Sequence, residues 1–144
     1  MTQRSRLLRG VAAAAFGVAI AVSAAGCSSS AEGTSQSTSA ATLSVVDFAK
    51  RVATDGVVTI DVRTPEEYAS GHLPGAINID VEAADFADQV AKLDHTAPYA
   101  LYCRTGNRSG MAMGIMADEG FTDLAHLDGG ITDWAQQGGT IVTN

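Results

Sequence analysis

Seven consecutive residues carry most of the chemistry in this chain: Cys103-Arg104-Thr105-Gly106-Asn107-Arg108-Ser109. They set one thiol, two guanidiniums and three polar side chains around a glycine. The residues before them, Tyr99, Ala100, Leu101 and Tyr102, are apolar or aromatic and read as a short buried strand. Those after them carry Met111, Ile115 and Met116 as a helix would, and Gly120 stops the run. Cys103 is therefore expected where a strand gives way to a loop and then to a helix. Loop N–H groups and the positive end of the helix dipole converge on such a spot. Reactive cysteines in settings like this fall from a pKa of about 8.5 to about 3.5–7.5. A merely structural cysteine needs neither flanking arginines nor a helix start. These groups suit nucleophilic attack by a thiolate, with Arg104 and Arg108 stabilising negative charge. Arg104 is equally well placed to point to solvent.

The spacing narrows the chemistry. Cys103 to Arg108 is Cys-x4-Arg, a loop of six residues. Cysteine-dependent phosphatases use a loop one residue longer, because a tetrahedral phosphate needs a wide cradle of N–H groups. A tighter ring better suits one extra sulfur on the cysteine. The loop resembles the active-site loop of the rhodanese family, sulfurtransferases that carry a cysteine persulfide. Two further blocks resemble the same family. One runs from Ile60-Asp61-Val62-Arg63-Thr64-Pro65-Glu66-Glu67-Tyr68 to Gly71-His72-Leu73-Pro74-Gly75-Ala76-Ile77-Asn78-Ile79. The other is Leu127-Asp128-Gly129-Gly130 followed by Trp134 and Gly138. Together the blocks cover nearly all of residues 43–142.

The resemblance implies one rhodanese-like domain over residues 43–144. It implies Cys103 as the catalytic residue and persulfide carrier. The persulfide- and substrate-binding loop would be Arg104, Thr105, Gly106, Asn107, Arg108 and Ser109. It implies a small anionic donor of the thiosulfate type, and cyanide, a thiol or a protein as acceptor. No cofactor or metal is called for. Asp61 and Arg63 close a buried strand and either brace the loop or form a pair that fixes the fold. Ser109 would cap the helix or donate to the thiolate. His72, at a turn, is expected to be a hydrogen-bonded structural residue, and Trp134 to pack in the core. His95 and His126 sit apart from each other and from any metal-ligand spacing.

The elements that must hold these groups alternate. Ser44 can cap a helix through Val45, Phe48, Ala49 and Val52. Residues 57–62 form a nearly continuous β-branched strand. Pro65 opens a short helix that Gly71 closes. A short strand follows over 76–79, then a helix over 83–93 with Phe86, Val90 and Leu93 on one face. After the cysteine strand and its helix come a strand over 124–127 and a helix over 131–136. Such alternation predicts an α/β fold, a mostly parallel sheet with helices on both faces. Sites in these sheets form at the carboxyl ends of strands, where Cys103 falls.

The first third is different in kind. Arg4, Arg6 and Arg9 precede an uncharged, alanine-rich stretch of fifteen residues, 11–25. A spanning helix needs about 20, so the stretch fits the apolar region of a secretory signal peptide. Ala24-Ala25-Gly26-Cys27 resembles a bacterial lipobox, although leucine is more usual where Ala24 stands. Residues 1–26 are thus expected to be a lipoprotein signal peptide, with Cys27 lipidated. An uncleaved anchor is the alternative, and both place the domain outside the cytoplasm. Nine of the fifteen residues 28–42 are serine or threonine, which marks 27–42 as a lipidated cysteine and disordered tether.

Charge is counted on the mature chain. Removing Arg4, Arg6 and Arg9 from nine basic residues leaves six against sixteen acidic, a net charge of −10. That excludes general electrostatic binding to nucleic acid and leaves membrane attachment to the lipid. Of two cysteines, lipidation claims one, so Cys103 has no partner for a disulfide. A phosphatase or arsenate reductase on the same fold is opposed by the short loop. A module that holds or delivers sulfur without turnover remains the second reading.

Overall fold

The computed structural model describes residues 38–143. Cys27, the leader and most of the Ser/Thr-rich stretch lie outside the described residues. Among the described residues five strands and five helices alternate: β1 Ser39–Leu43, α1 Val45–Val52, β2 Val58–Asp61, α2 Pro65–Ser70, β3 Ile77–Asn78, α3 Phe86–Val90, β4 Pro98–Tyr102, α4 Asn107–Asp118, β5 Asp123–Leu127 and α5 Gly130–Gln136. The strands form one sheet in the order β1-β5-β4-β2-β3, and every pair is parallel. Parallel neighbours need a crossover, and the intervening helices supply it.

Strand pleating sorts the core into two layers. Tyr99, Leu101 and Cys103 face one side with Ile60, Val62 and Leu124, under Phe86 and Val90 of α3 and Ala112 and Met116 of α4. Ala100, Tyr102 and Leu127 face the other, under Phe48 of α1 and Ile131 and Trp134 of α5, with Tyr68 of α2 packed alongside. Trp134 meets Phe48 edge-on at 6.2 Å and donates its indole N–H to the Thr140 carbonyl at 3.0 Å. The helices thus cover both faces, as the alternation requires.

Three elements differ from the sequence expectation by more than one residue at an end. Ser39–Leu43, assigned mostly to the tether, is the edge strand β1. It pairs in register with β5, Thr42 opposite His126 and Leu43 opposite Leu127. Backbone pairing holds it there, with little apolar burial, so its composition gave no signal. Helix α3 is only Phe86–Val90. Turns close Ala83 on Asp80 and Phe86 on Ala83 before it, and Leu93 on Val90 after it. Helix α4 begins at Asn107, two residues before the expected start, because Gly106 takes the left-handed conformation (φ 96°) and turns the loop straight into it.

Candidate active site

Cys103 follows the last residue of β4 and is 1% exposed. The Gly106 N–H donates to its Sγ at 3.1 Å. Burial pushes the thiol pKa up. The Ser109 hydroxyl and the N–H groups of Ser109, Thr105 and Gly106 outweigh that and hold it below the ordinary value. Hydrogen bonds to the charged form favour it. The strand-loop-helix setting read from the sequence therefore yields a thiol biased towards thiolate.

The loop is clamped from outside by the start of α5. Ile131 N–H donates to the Cys103 carbonyl at 2.8 Å. Thr132 donates to the Arg104 carbonyl through its N–H at 3.2 Å and its hydroxyl at 2.9 Å. A Cβ on Gly130 would stand 2.5 Å from the Cys103 carbonyl oxygen, and its φ is +60°. A Cβ on Gly106 would stand 3.3 Å from the Gly129 nitrogen. The Gly129-Gly130 pair thus lets α5 lie directly on the cysteine loop.

The two arginines part company. Arg104 is exposed, as are Thr105 and Asn107. Arg108 is engaged: its Nη1 donates to Glu67 Oε2 at 2.7 Å, its Nη2 to Glu67 Oε1 at 2.8 Å, and Nη1 again to Glu82 Oε2 at 2.9 Å. Arg104 thus takes the solvent-facing alternative, and Arg108, expected to stabilise negative charge, already meets two carboxylates. Glu67 sits in α2, where it also closes a capping box with Thr64. The contact with Arg108 holds the Glu67 carboxyl below its usual pKa in spite of partial burial.

Asp61 and Arg63 form a buried pair, with Arg63 Nη2 donating to Asp61 Oδ2 at 2.6 Å. The same nitrogen donates to the Gly71 carbonyl at 2.7 Å, tying the end of β2 to the end of α2. Arg63 also lies 5.8 Å from the centroid of the Tyr102 ring, beside Cys103 in sequence. The pair thus joins the ends of β2 and α2. His72 stacks on Tyr68 at 3.8 Å and bonds the Tyr68 carbonyl through Nδ1 at 2.9 Å, the structural role expected.

His126 is the residue that sequence reasoning set aside. Its Nδ1 lies 3.2 Å from Ser109 Oγ and its Nε2 lies 3.0 Å from Thr42 Oγ1. It is buried, and burial lowers its pKa, so the ring is neutral near pH 7. Its period-2 position in β5, on the α4 side with Leu124, was the available signal. A separate cavity of about 190 Å³, lined by Val52, Thr59, Leu73, Pro74, Trp134 and Thr140, contains none of the loop residues.

The description "Rhodanese-like domain" matches residues 44–137 of this chain. The chain belongs to the rhodanese-like family. Among curated relatives, the thiosulfate sulfurtransferase GlpE of Pseudomonas entomophila is 35% identical over 80 residues, 56% of this chain and 72% of the relative. A probable adenylyltransferase/sulfurtransferase, MoeZ, of Mycobacterium tuberculosis is 41% identical over 78 residues, 54% of this chain. The match spans only 20% of that relative's length. Among solved structures, a rhodanese-related protein of Thermoplasma volcanium superposes with a TM-score of 0.64 at 25% identity, over 72% of this chain and 98% of its own. A rhodanese-like domain protein of Staphylococcus aureus shares the fold, with a TM-score of 0.62 at 23% identity over 72% of this chain and 97% of its own. The rhodanese-like fold and the family are thereby established. Membership supports sulfur transfer in general.

Proposed function

We propose that this rhodanese-like protein is a sulfurtransferase that moves sulfane sulfur through a Cys103 persulfide. The observation that carries the reading is the Cys103 thiol, buried at a strand end and surrounded by donors that favour its anion. The thiolate attacks the outer sulfur of a donor such as thiosulfate. An S–S bond forms to Sγ, the donor's own S–S bond breaks, and sulfite leaves with the electron pair. Loop N–H groups hold the terminal sulfur of the persulfide. An acceptor nucleophile, such as cyanide or a thiolate, then bonds to that sulfur. The Cys103–sulfur bond breaks and its electron pair returns to the thiolate. Donor and acceptor use the site in turn, so the kinetics are ping-pong.

The reading includes a domain outside the cytoplasm, held to the bacterial membrane by lipid on Cys27; the Arg-rich start, the apolar stretch 11–25 and Ala24-Ala25-Gly26-Cys27 support it. A second reading is a sulfane-sulfur delivery module with a protein acceptor. It is favoured by the engagement of Arg108 with two carboxylates, which leaves less positive charge for a small free dianion.

The test is a mass measurement on the intact, reduced chain. Incubation with thiosulfate should add one sulfur atom to Cys103, and cyanide should remove it as thiocyanate. Cys103→Ser should show neither. Transfer surviving in that variant rules the reading out. A stable mass gain that neither cyanide nor small thiols remove favours the delivery module.

A further inference from the structure

Strand β2 puts a hydroxyl where the sheet is otherwise apolar. Val58 and Ile60 belong to the layer under α3 and α4. Thr59, between them, faces the other way. Its register partner is Ala100, and that layer is built from Leu73, Phe48 and Trp134. Thr59 is 8% exposed, and among the described residues no group hydrogen-bonds its hydroxyl. A buried hydroxyl left without a partner is costly. This one is not sealed off, because the one unpartnered side-chain polar atom fully shut away among the described residues is Arg51 Nε. Thr59 lines the cavity of about 190 Å³ beside Trp134, and its hydroxyl is reached from there.

The walls of that cavity are fixed. The Trp134 indole N–H donates to the Thr140 carbonyl at 3.0 Å, and Gly139 lies so close to the indole that a Cβ would collide with it. Val142 exchanges both backbone hydrogen bonds with His72 at 2.9 Å, next to Leu73 and Pro74. The strap over 139–142 is therefore pinned on either side of Thr140.

The lining also sets the ligand. Among the described residues no charged side chain borders the cavity. An ion would lose its hydration there with nothing to replace it, which excludes thiosulfate and other anions. An apolar cavity of about 150 Å³ takes benzene, so this one has room for a six-membered ring and one small substituent. A hydroxyl substituent satisfies Thr59 in either sense, since each can donate or accept.

We propose that this cavity is a binding site, separate from the cysteine loop, for a small uncharged ring compound bearing one hydroxyl. The ring packs on Trp134 and Leu73, and the hydroxyl pairs with Thr59.

Trp134 is the chain's one tryptophan, so its fluorescence reads occupancy of the cavity. Cyclohexanol, which does not absorb where tryptophan is excited, is titrated into the intact chain. The change should saturate with a Kd of about 1 mM, in keeping with so few non-hydrogen atoms. Cyclohexanecarboxylate, the same ring with a charge, should bind more weakly by about tenfold or more. Thr59→Val should weaken cyclohexanol binding about fivefold, the worth of one neutral hydrogen bond. Should valine not fold, Thr59→Ser and Thr59→Ala decide, since they differ by the hydroxyl alone; serine should bind about fivefold more tightly than alanine. Cys103→Ser should titrate like wild type, whether or not the chain transfers sulfur. No saturable change well above the expected Kd, equal affinity for the carboxylate, or equal affinity with and without the hydroxyl overturns the proposal. Loss of binding in Cys103→Ser would put the probe at the loop and overturn it too.

Discussion

The Arg108 guanidinium lies in a two-point contact with the Glu67 carboxylate, 2.7 Å from Nη1 to Oε2 and 2.8 Å from Nη2 to Oε1. The contact joins the first turn of the helix behind the cysteine to the capping box of α2. Planar forks of this kind fix geometry as well as charge, which a lysine does not reproduce. Arg108 is therefore a brace, and any help it gives an anionic donor is opposed by Glu67 and Glu82.

That opposition has a testable sign. Glu67→Gln keeps the size and the Thr64 contact but removes one negative charge beside Arg108. An anionic donor should then bind better, with KM for thiosulfate lower by about threefold to tenfold for a charge a few ångströms away in a partly screened site. Stability should fall by about 1 kcal/mol, as for a partly exposed ion pair. The pH dependence follows from the lowered pKa of Glu67. Its contribution is complete above the ordinary carboxylate value of about 4.3 and is lost as pH falls through the folded value. The glutamine variant should lack that part of the acid loss in thermal melts. An unchanged KM would show that Arg108 never meets the donor.

Loop length is the second handle. One glycine inserted between Asn107 and Arg108 rotates what precedes Arg108 by about 100° relative to α4. The loop would widen towards the phosphatase size, and the brace on Glu67 would be lost or its strain passed to Cys103. Sulfur transfer should disappear. The unmodified chain should hydrolyse no aryl phosphate, and clear phosphatase turnover by it would reverse the choice of chemistry.

Much of this site was legible in the sequence because its chemistry is local. Cys103, Gly106 and Ser109 fall within seven residues, and the strand and helix around them announce themselves by apolar pattern. What was hidden is what lies far along the chain. The partner of Arg108 is 41 residues away, and Thr42 is 84 residues from His126. A guanidinium read in isolation looks available to substrate; only the fold brings two carboxylates to it. The edge strand β1 was hidden for another reason. Its one serine, one threonine and two alanines bury little, and the hydrogen bonds that define it are shared with β5. Helix α3 was overdrawn because Phe86, Val90 and Leu93 keep helical spacing while the backbone at both ends is turn.

Attachment is tested separately from chemistry. Cys27→Ser should release the protein from the membrane fraction or block its processing, and leave sulfur transfer by the domain unchanged. A single acyl chain gives only marginal membrane binding, so the stable anchoring expected of a lipoprotein requires more than one. Retention of the processed variant in the membrane fraction would rule out the lipid reading.

Two glycine substitutions separate the clamp on the loop from general stability. Gly130 has φ +60°, and a Cβ there would lie 2.5 Å from the carbonyl oxygen of Cys103 and 2.5 Å from the carbonyl carbon of Arg104. Both are backbone atoms and cannot yield without moving the loop. Gly130→Ala should cost about 2 kcal/mol or more from strain and displacement together. It should also reduce the rate of sulfur transfer in whatever fraction remains folded, because the Ile131 and Thr132 hydrogen bonds to the loop carbonyls would be pulled out of line. Gly114 lies inside α4, exposed, with nothing within 4 Å of a Cβ. Gly114→Ala should add about 0.5–1 kcal/mol, the helix preference of alanine over glycine, and leave transfer unchanged. Chemical denaturation with a parallel transfer assay reads both effects. If Gly130→Ala folds and turns over like wild type, the start of α5 does not hold the loop, and the donors around Cys103 must be ordered by α4 alone.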